Sequence, residues 1–330
     1  MSGLSLTIDS EFALAIDGYS SVFGYSIFYA ETGKHRIGRY LNGGVQVVAG
    51  NGSPGYGGDN GPASTAILNA PTGLGVAKSG NVYISDTGNN RIRVINYQTS
   101  IISTVAGTGI AGYNGDGILA SSAMINNPLG LFVDSNENVY IADNGNSRIR
   151  VISAKTGLIS TLVGTGSYGF NGDGLAPSLT QVGRLNTVTI AANSGDIYFT
   201  DGNAVRKISS RTGRAIVRTV IGGYFGYSNI QRNIIAQEAG TLNPRGLTVT
   251  NNTLFIGSLN DGFIQTVIMF CSSVIIMTNI ILLGQSQKYH NQSNILWGYG
   301  QTIGESFGQD LFFFGGKQYY IKFDCCVSLI

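Results

Sequence analysis

Three features of this sequence predict an all-β fold, a six-bladed β-propeller with four-stranded antiparallel blades. First, Val82–Ile95, VYISDTGNNRIRVI, returns nearly letter for letter as VYIADNGNSRIRVI at Val139–Ile152, 57 residues later. Second, an aromatic residue recurs in the same strand position at Phe28, Tyr83, Tyr140, Tyr198, Phe255 and Phe312, at intervals of 55, 57, 58, 57 and 57 residues. Third, each well-formed period carries four short apolar runs divided by Gly- and Asn-rich turns, which is the grammar of consecutive hairpins. Four strands per period, repeated six times, describe propeller blades, and a ring disposes of its own sheet edges. The 330 residues then form a single domain, with blades at about 10–50, 51–107, 108–164, 165–222, 223–284 and 285–330 and the carboxy-terminal blades degenerate.

Each unit opens on a small-residue strand, Gly73–Ala77, Gly130–Asp134 or Gly246–Thr250, with Phe12–Asp17 as the first-unit version. Pro71, Pro128 and Pro244 stand two residues before the glycine, at a strand entrance where a missing N–H is harmless. The second strand alternates, as in Val82–Asp86, and a Gly/Asn turn leads to a third, Arg91–Ile95. A fourth, β-branched run closes the unit at Val45–Ala49, Ile102–Ala106, Ile159–Val163 and Arg218–Ile221. Ring closure has two candidates for an outer strand, Leu4–Ile8 and Cys325–Ile330.

Phe263–Leu283 is a run of 21 uncharged residues, long enough as a helix to span the roughly 30 Å hydrocarbon core of a bilayer. Its Ile and Val content, the lack of Lys or Arg at its ends and the arrival of Phe312 on schedule favour strands. A membrane partner therefore enters only if 263–283 spans. The amino terminus lacks a basic segment followed by a continuous apolar run, so the expected compartment is the cytoplasm, or the extracellular space if the amino terminus is incomplete.

Composition bounds function from the other side. Charged residues make up 12% of the chain and the net charge is +2, which gives no strong field for nucleic acid. The three cysteines, Cys271, Cys325 and Cys326, form no readable disulfide framework or zinc site. Two histidines, His35 and His290, are too few for a three-histidine metal centre. Inner-strand positions such as Gly73, Gly75, Gly130, Thr187, Thr189 and Thr248 are small and mostly apolar, leaving Asp17 and Asp134 as the only inner-strand acids. No convergent catalytic set, metal site or cofactor is expected from them.

The pattern P-x-G-apolar-x-V, then N-V-Y-I-[SA]-D, then N-x-R-I-R-V resembles the NHL-repeat six-bladed β-propellers. In particular it is similar to the variety with long interblade loops, represented here by Val105–Pro128, VAGTGIAGYNGDGILASSAMINNP. The resemblance covers about residues 12–262 and fades beyond them. Tetratricopeptide-like helical repeats fail on the β-branched alternation, and WD40 fails because the chain has one tryptophan, Trp297.

Four periodic sets are the candidate functional residues. An acid and an arginine five residues apart, Glu31/Arg36, Asp86/Arg91, Asp143/Arg148 and Asp201/Arg206, are expected to pair across the end of each hairpin; both are lost together in the fifth and sixth units. Asp59, Asp116 and Asp173 fall in Gly-rich loops and are expected to form Asp-Gly turns, since one carboxylate per loop cannot supply the six to eight oxygens of a calcium site. Tyr56, Tyr113, Phe170 and Tyr227, each 57 apart, are expected either to pack their loops onto the neighbouring blade or to line a binding face. Arg93 and Arg150 are further candidate contacts, and His35 is expected to be a solvated turn residue. Ala63/Ala66 and Ala120/Ala123 suit a single helical turn on the rim.

The function these residues imply is a non-catalytic scaffold that takes a protein partner on the face built from interblade loops and hairpin turns. The alternatives are a single-stranded RNA-binding propeller, motivated by Arg93, Arg150 and Lys207, a metal-dependent lyase or hydrolase, and a membrane-tethered ectodomain.

Overall fold

In the structure, a computed structural model, the described residues are 14–17, 26–41, 44–209, 215–223, 244–250, 253–258, 264–270, 273–280, 310–314 and 317–321. Alternation of side chains with period two and turns every few residues give antiparallel meanders. The first blade runs Leu14–Asp17, Ser26–Glu31, Arg36–Leu41 and Gly44–Ala49 in that spatial order. The second runs Gly73–Val76, Val82–Asp86, Arg91–Ile95 and Ile101–Ala106, and the third Pro128–Val133, Val139–Asp143, Arg148–Ile152 and Leu158–Val163. The fourth comprises Val188–Ile190, Ile197–Asp201, Ala204–Ser209 and Ile216–Gly222, and the fifth Pro244–Thr250, Thr253–Ser258, Ile264–Phe270 and Ser273–Ile280. A sixth sheet is the hairpin Asp310–Phe314 with Lys317–Ile321. The architecture is an all-β propeller.

The apolar run from Phe263 thus folds as an antiparallel pair, Ile264–Phe270 with Ser273–Ile280, rather than as a helix. No helix among the described residues is long and apolar enough to cross a membrane. Both candidate closing strands, Leu4–Ile8 and Cys325–Ile330, lie outside the described residues, as do all three cysteines and the side chain of Asp17.

Successive blades bury their faces against one another, so both faces of a strand can be apolar. Phe28, Ala30 and Ile37 of the first blade pack with Leu74, Val82 and Ile84 of the second. Ile92 and Ala106 of the second meet Leu131, Val139 and Ile141 of the third, and Ile149 and Val163 of the third meet Val188 and Phe199 of the fourth. Val205 and Ile221 carry the contact on to Leu254 and Ile256 of the fifth.

The small inner-strand residues Gly73, Gly75 and Gly130 lie against the neighbouring blade. A Cβ on Gly73 would stand 2.2 Å from the Leu129 carbonyl oxygen, and one on Gly130 would stand 2.5 Å from that of Asn186. The backbone of Gly130 also donates to that Asn186 oxygen at 2.7 Å, a bond between blades. Asp134 points into its own hairpin, where its carboxylate accepts the backbone N–H groups of Asn136 and Asn138 and the Asn138 side-chain amide.

The loops entering the second and third blades lie along the outer edge of the blade that follows. Gly61–Pro62 adds a fifth strand beside Ile101–Ala106, and Ile118–Leu119 does the same for Leu158–Val163. These additions cover edges that would otherwise offer unpaired backbone groups. The expected single turns follow them as 3-10 turns at Ala63–Thr65 and Ala120–Ser122, with Ala63, Ala66, Ala120 and Ala123 buried.

Candidate functional site

The second and third strands are joined by a 3-10 turn, Thr87–Asn89 in the second blade, which ends on Asn90 in the left-handed region at φ 51°. Asn tolerates this conformation better than most side chains. The ladder then places Asp86 opposite Arg91 and Ile84 opposite Arg93. A β-bulge follows at once, because the pairing with the fourth strand slips between Ile92 and Arg93. The same slip recurs at Ile149/Arg150 and Val205/Arg206. Bulges bend a strand and re-aim its side chains, and here the residue beside the bulge is an arginine in all three blades.

That arginine is the centre of the site. Arg93 Nη2 donates to the Asp59 carboxylate at 2.6 Å and to the Gly57 carbonyl at 3.2 Å, while Nη1 donates to Asp86 at 3.2 Å. Asp86 also accepts the Asn69 backbone N–H at 2.7 Å and the Asn89 amide at 2.8 Å. Asp59 is held in turn by the hydroxyls of Thr104 at 2.7 Å and Tyr56 at 2.8 Å. The third blade repeats the set, with Arg150 Nη2 on Asp116 at 3.0 Å, Arg150 Nη1 on Asp143 at 3.6 Å, and the Thr161 and Tyr113 hydroxyls on Asp116. In the fourth, Arg206 reaches Asp173 at 3.2 Å and Asp201 at 3.0 Å, and Thr219 binds Asp173.

Two expected ion pairs are therefore replaced. Asp86 and Asp143 pair with Arg93 and Arg150, not with Arg91 and Arg148. The reason is reach: Arg91 and Arg148 turn outward, donate to the Asn89 and Thr108 carbonyls and to the Asn146 and Thr165 carbonyls, and stack 3.7 and 3.9 Å from the rings of Tyr56 and Tyr113. Asp201/Arg206 and Glu31/Arg36 do pair, for different reasons. The fourth hairpin is two residues shorter, so Arg206 sits opposite Phe199, where Arg93 sits opposite Ile84. In the first blade that place is Gly38, covered by the Tyr29 ring, and Glu31 takes both Arg36 and Lys34.

Burial sets the electrostatics. It pushes the Asp86 carboxyl above the usual range and Asp143 up to about 6, against the opposing hydrogen bonds of Asn89 or Asn146, a backbone N–H and the nearby arginine. Glu31 and Asp59 feel the same desolvation, but it is outweighed, by Arg36 and Lys34 for Glu31 and by Thr104, Tyr56 and Arg93 for Asp59, so both are held below the ordinary value.

Arg93 and Arg150 are fully buried and cannot serve as surface contacts, which corrects their place among the binding residues. Both guanidinium groups face carboxylates of the propeller itself, although the Nε and Nη1 of Arg150 make no hydrogen bond. Asp59, Asp116 and Asp173 are the outer anchors of Arg93, Arg150 and Arg206 respectively, a role beyond simple turn formation. Tyr56 and Tyr113 remain 45% and 38% exposed with one ring face taken by arginine, Phe170 is buried beside Arg206 at 4.9 Å, and Tyr227 lies outside the described residues. His35 is not a solvated turn residue: its Nδ1 accepts the Ala70 backbone N–H at 3.0 Å and ties the first hairpin to the loop entering the second blade. Sequence reading missed Thr104, Thr161 and Thr219, although their spacing of 57 and 58 is close to the 57 and 57 of the aspartates they hold. Among the described residues no three His, Cys, Asp or Glu side chains form a metal-binding group.

Beside exposed polar residues such as Asn51, Asn114 and Asn171, the loops also expose large apolar side chains. Ile110 is 60% and Tyr168 75% exposed, and they occupy neighbouring positions in the loops entering the third and fourth blades.

The NHL repeat family model matches residues 68–95 and 126–152, the two copies that hold the complete arginine set. The chain is 32% identical over 156 residues to Protein SUPPRESSOR OF QUENCHING 1, chloroplastic, of Arabidopsis thaliana, covering 47% of this chain and 14% of that protein. It is 38% identical over 94 residues to NHL repeat-containing protein 2 of Gallus gallus, covering 28% and 13%, and 32% identical over 112 residues to that of Homo sapiens, covering 32% and 15%. The chain thus spans only a small part of the length of these relatives. Among solved structures it is similar to a streptogramin B lyase, with a TM-score of 0.48 and 13% identity over 82% of this chain and 70% of that one. The selenomethionine-substituted virginiamycin B lyase from Staphylococcus aureus gives 0.47 and 15% over 81% and 74%. Residues 68–95 and 126–152 are thus NHL repeats, and through them the chain is similar to NHL repeat-containing proteins.

Proposed function

We propose that this propeller is a non-catalytic interaction scaffold that binds a protein partner through the interblade-loop face. The observation that carries this reading is the run of exposed apolar and aromatic side chains on three successive loops, Tyr56, then Ile110 and Tyr113, then Tyr168. Aromatic residues on a rigid support make good anchors because they bury large area at little entropic cost. The support here is rigid for a stated reason: Tyr56 and Tyr113 are clamped by a stacked arginine and by an aspartate. The hairpin arginines Arg93, Arg150 and Arg206 face the fold, so what these loops offer a partner are the exposed apolar side chains together with neighbouring polar ones. The RNA alternative loses its motivation, since Arg93 and Arg150 are buried and Lys207 lies 3.6 Å from Asp196.

The test uses Ile110→Ser with Tyr168→Ser, because neither side chain takes part in the arginine network. Proteins retained by the immobilised wild type and lost from the variant, at unchanged thermal stability, are the expected result. Identical retention by both would remove this face from consideration.

A further inference from the structure

A groove of about 220 Å³ opens between the first and second blades, lined in part by Phe28, Arg39, Val48, Pro62 and Tyr97. Val82 and the stretch from Ile95 to Ser100 border it, so it lies at the opposite end of the hairpins from the 3-10 turns and Tyr56. Arg39 is half-buried there. Its Nε and Nη2 both donate to the Ser26 hydroxyl, at 3.1 and 2.7 Å, and the guanidinium stands 5.5 Å from the Phe28 ring centre. Among the side chains that the structure describes, no carboxylate is within ion-pair distance of it; that of Asp17, opposite Ser26 in the ladder, lies outside them.

The fourth blade shows what accompanies a cation at this position. Lys207 lies opposite Tyr198 in the ladder as Arg39 lies opposite Phe28, and Lys207 is 5.8 Å from the Tyr198 ring centre. Asp196, two residues before Tyr198, is buried and 3.6 Å from Lys207. The residue two before Phe28 is Ser26. The first blade therefore keeps the cation, as an arginine, but carries a neutral hydroxyl where the fourth carries the acid, and beside that cation it has a groove.

We propose that this groove binds a carboxylate carried on an apolar stem, its oxygens taking toward Arg39 the place that Asp196 takes toward Lys207. A guanidinium offers a planar fork matched to a carboxylate, and such charge-assisted bonds strengthen where apolar walls exclude water. Phe28, Val48, Pro62 and Tyr97 supply the apolar part of the lining, and Gln46, Asn96 and Ser100 the polar part. The volume is below the roughly 300–1,000 Å³ of sites that enclose a drug-sized ligand, so it suits one short acyl chain or one acidic side chain of a peptide. The proposal does not depend on the loop face, which lies at the other end of the blades.

Titration calorimetry and amide-shift mapping with hexanoate, hexanol and N-acetyl-leucyl-glutamate amide test it on the full chain. Hexanoate or the glutamate peptide should bind, with shifts confined to the groove, while hexanol binds at least tenfold more weakly. The arm that binds tells a free acid from a peptide side chain. Arg39→Met should abolish the preference for the acid over the alcohol. Ser26→Asp, which supplies an internal carboxylate as in the fourth blade, should abolish acid binding while leaving the fold intact. Equal binding of hexanoate and hexanol, binding unchanged in Arg39→Met, or no binding of either acid overturns the proposal.

Discussion

Replacing Arg93 by methionine removes the cation that joins two carboxylates while keeping much of the side-chain volume. In the wild type Arg93 and Asp86 are both fully buried, and Arg93 also holds Asp59 and the Gly57 carbonyl. Without it, Asp86 keeps only the Asn69 N–H and the Asn89 amide, neither of which carries charge. Removing one partner of a buried pair costs about 3–5 kcal/mol, most of it the stranded charge. Arg91, two residues away, is half-buried, and its bonds to two carbonyls can be replaced by water; with a cation–π contact of about 0.5–1 kcal/mol, its loss should cost about 1–2 kcal/mol. Equilibrium urea unfolding of Arg93→Met and Arg91→Met, read as midpoint shifts at constant slope, separates the two. A double-mutant cycle with Asp86→Asn should give strong coupling to Arg93 and little to Arg91. If Arg91→Met costs as much as Arg93→Met, or if Asp86 couples to Arg91 instead, the account of the network is refuted.

Two further outcomes follow from the same geometry. Asp143, raised by burial to about 6 from an ordinary 3.8, binds its proton more tightly in the folded state, so its contribution to stability is complete below about pH 4 and is lost as pH rises through 6. Asp143→Asn should flatten that part of the stability profile, and an unaltered slope between pH 4 and 6 would contradict the assignment; Glu31 and Asp59, held below their ordinary values, act with the opposite sign and lose their contribution as pH falls. Gly130→Ala should destabilise by about 1–3 kcal/mol, because its Cβ meets the Asn186 carbonyl at 2.5 Å and the Thr187 Cα at 2.8 Å, whereas Gly246→Ala, with nothing within 4 Å, should be near neutral in the same thermal melt.

Period and alternation are properties of the chain itself, and they were enough to specify the blades. The return of Val82–Ile95 at Val139–Ile152, the glycine-led inner strands and the Asn-bearing turns are local signals, each tied to backbone geometry that the residues themselves favour. Even the uncharged run from Phe263 was legible as strands from its Ile and Val content. Which arginine meets which acid was not legible. Linear spacing gave five residues between Asp86 and Arg91, but a hairpin places partners by register, and a bulge beside Arg93 turns that side chain inward while Arg91 turns out to Tyr56. The equal spacing of Asp201 and Arg206 had a different origin, a hairpin two residues shorter. Only the tertiary structure could decide these pairings, because a charge settles where burial and the neighbouring blade allow, and neither is written in the spacing of one repeat.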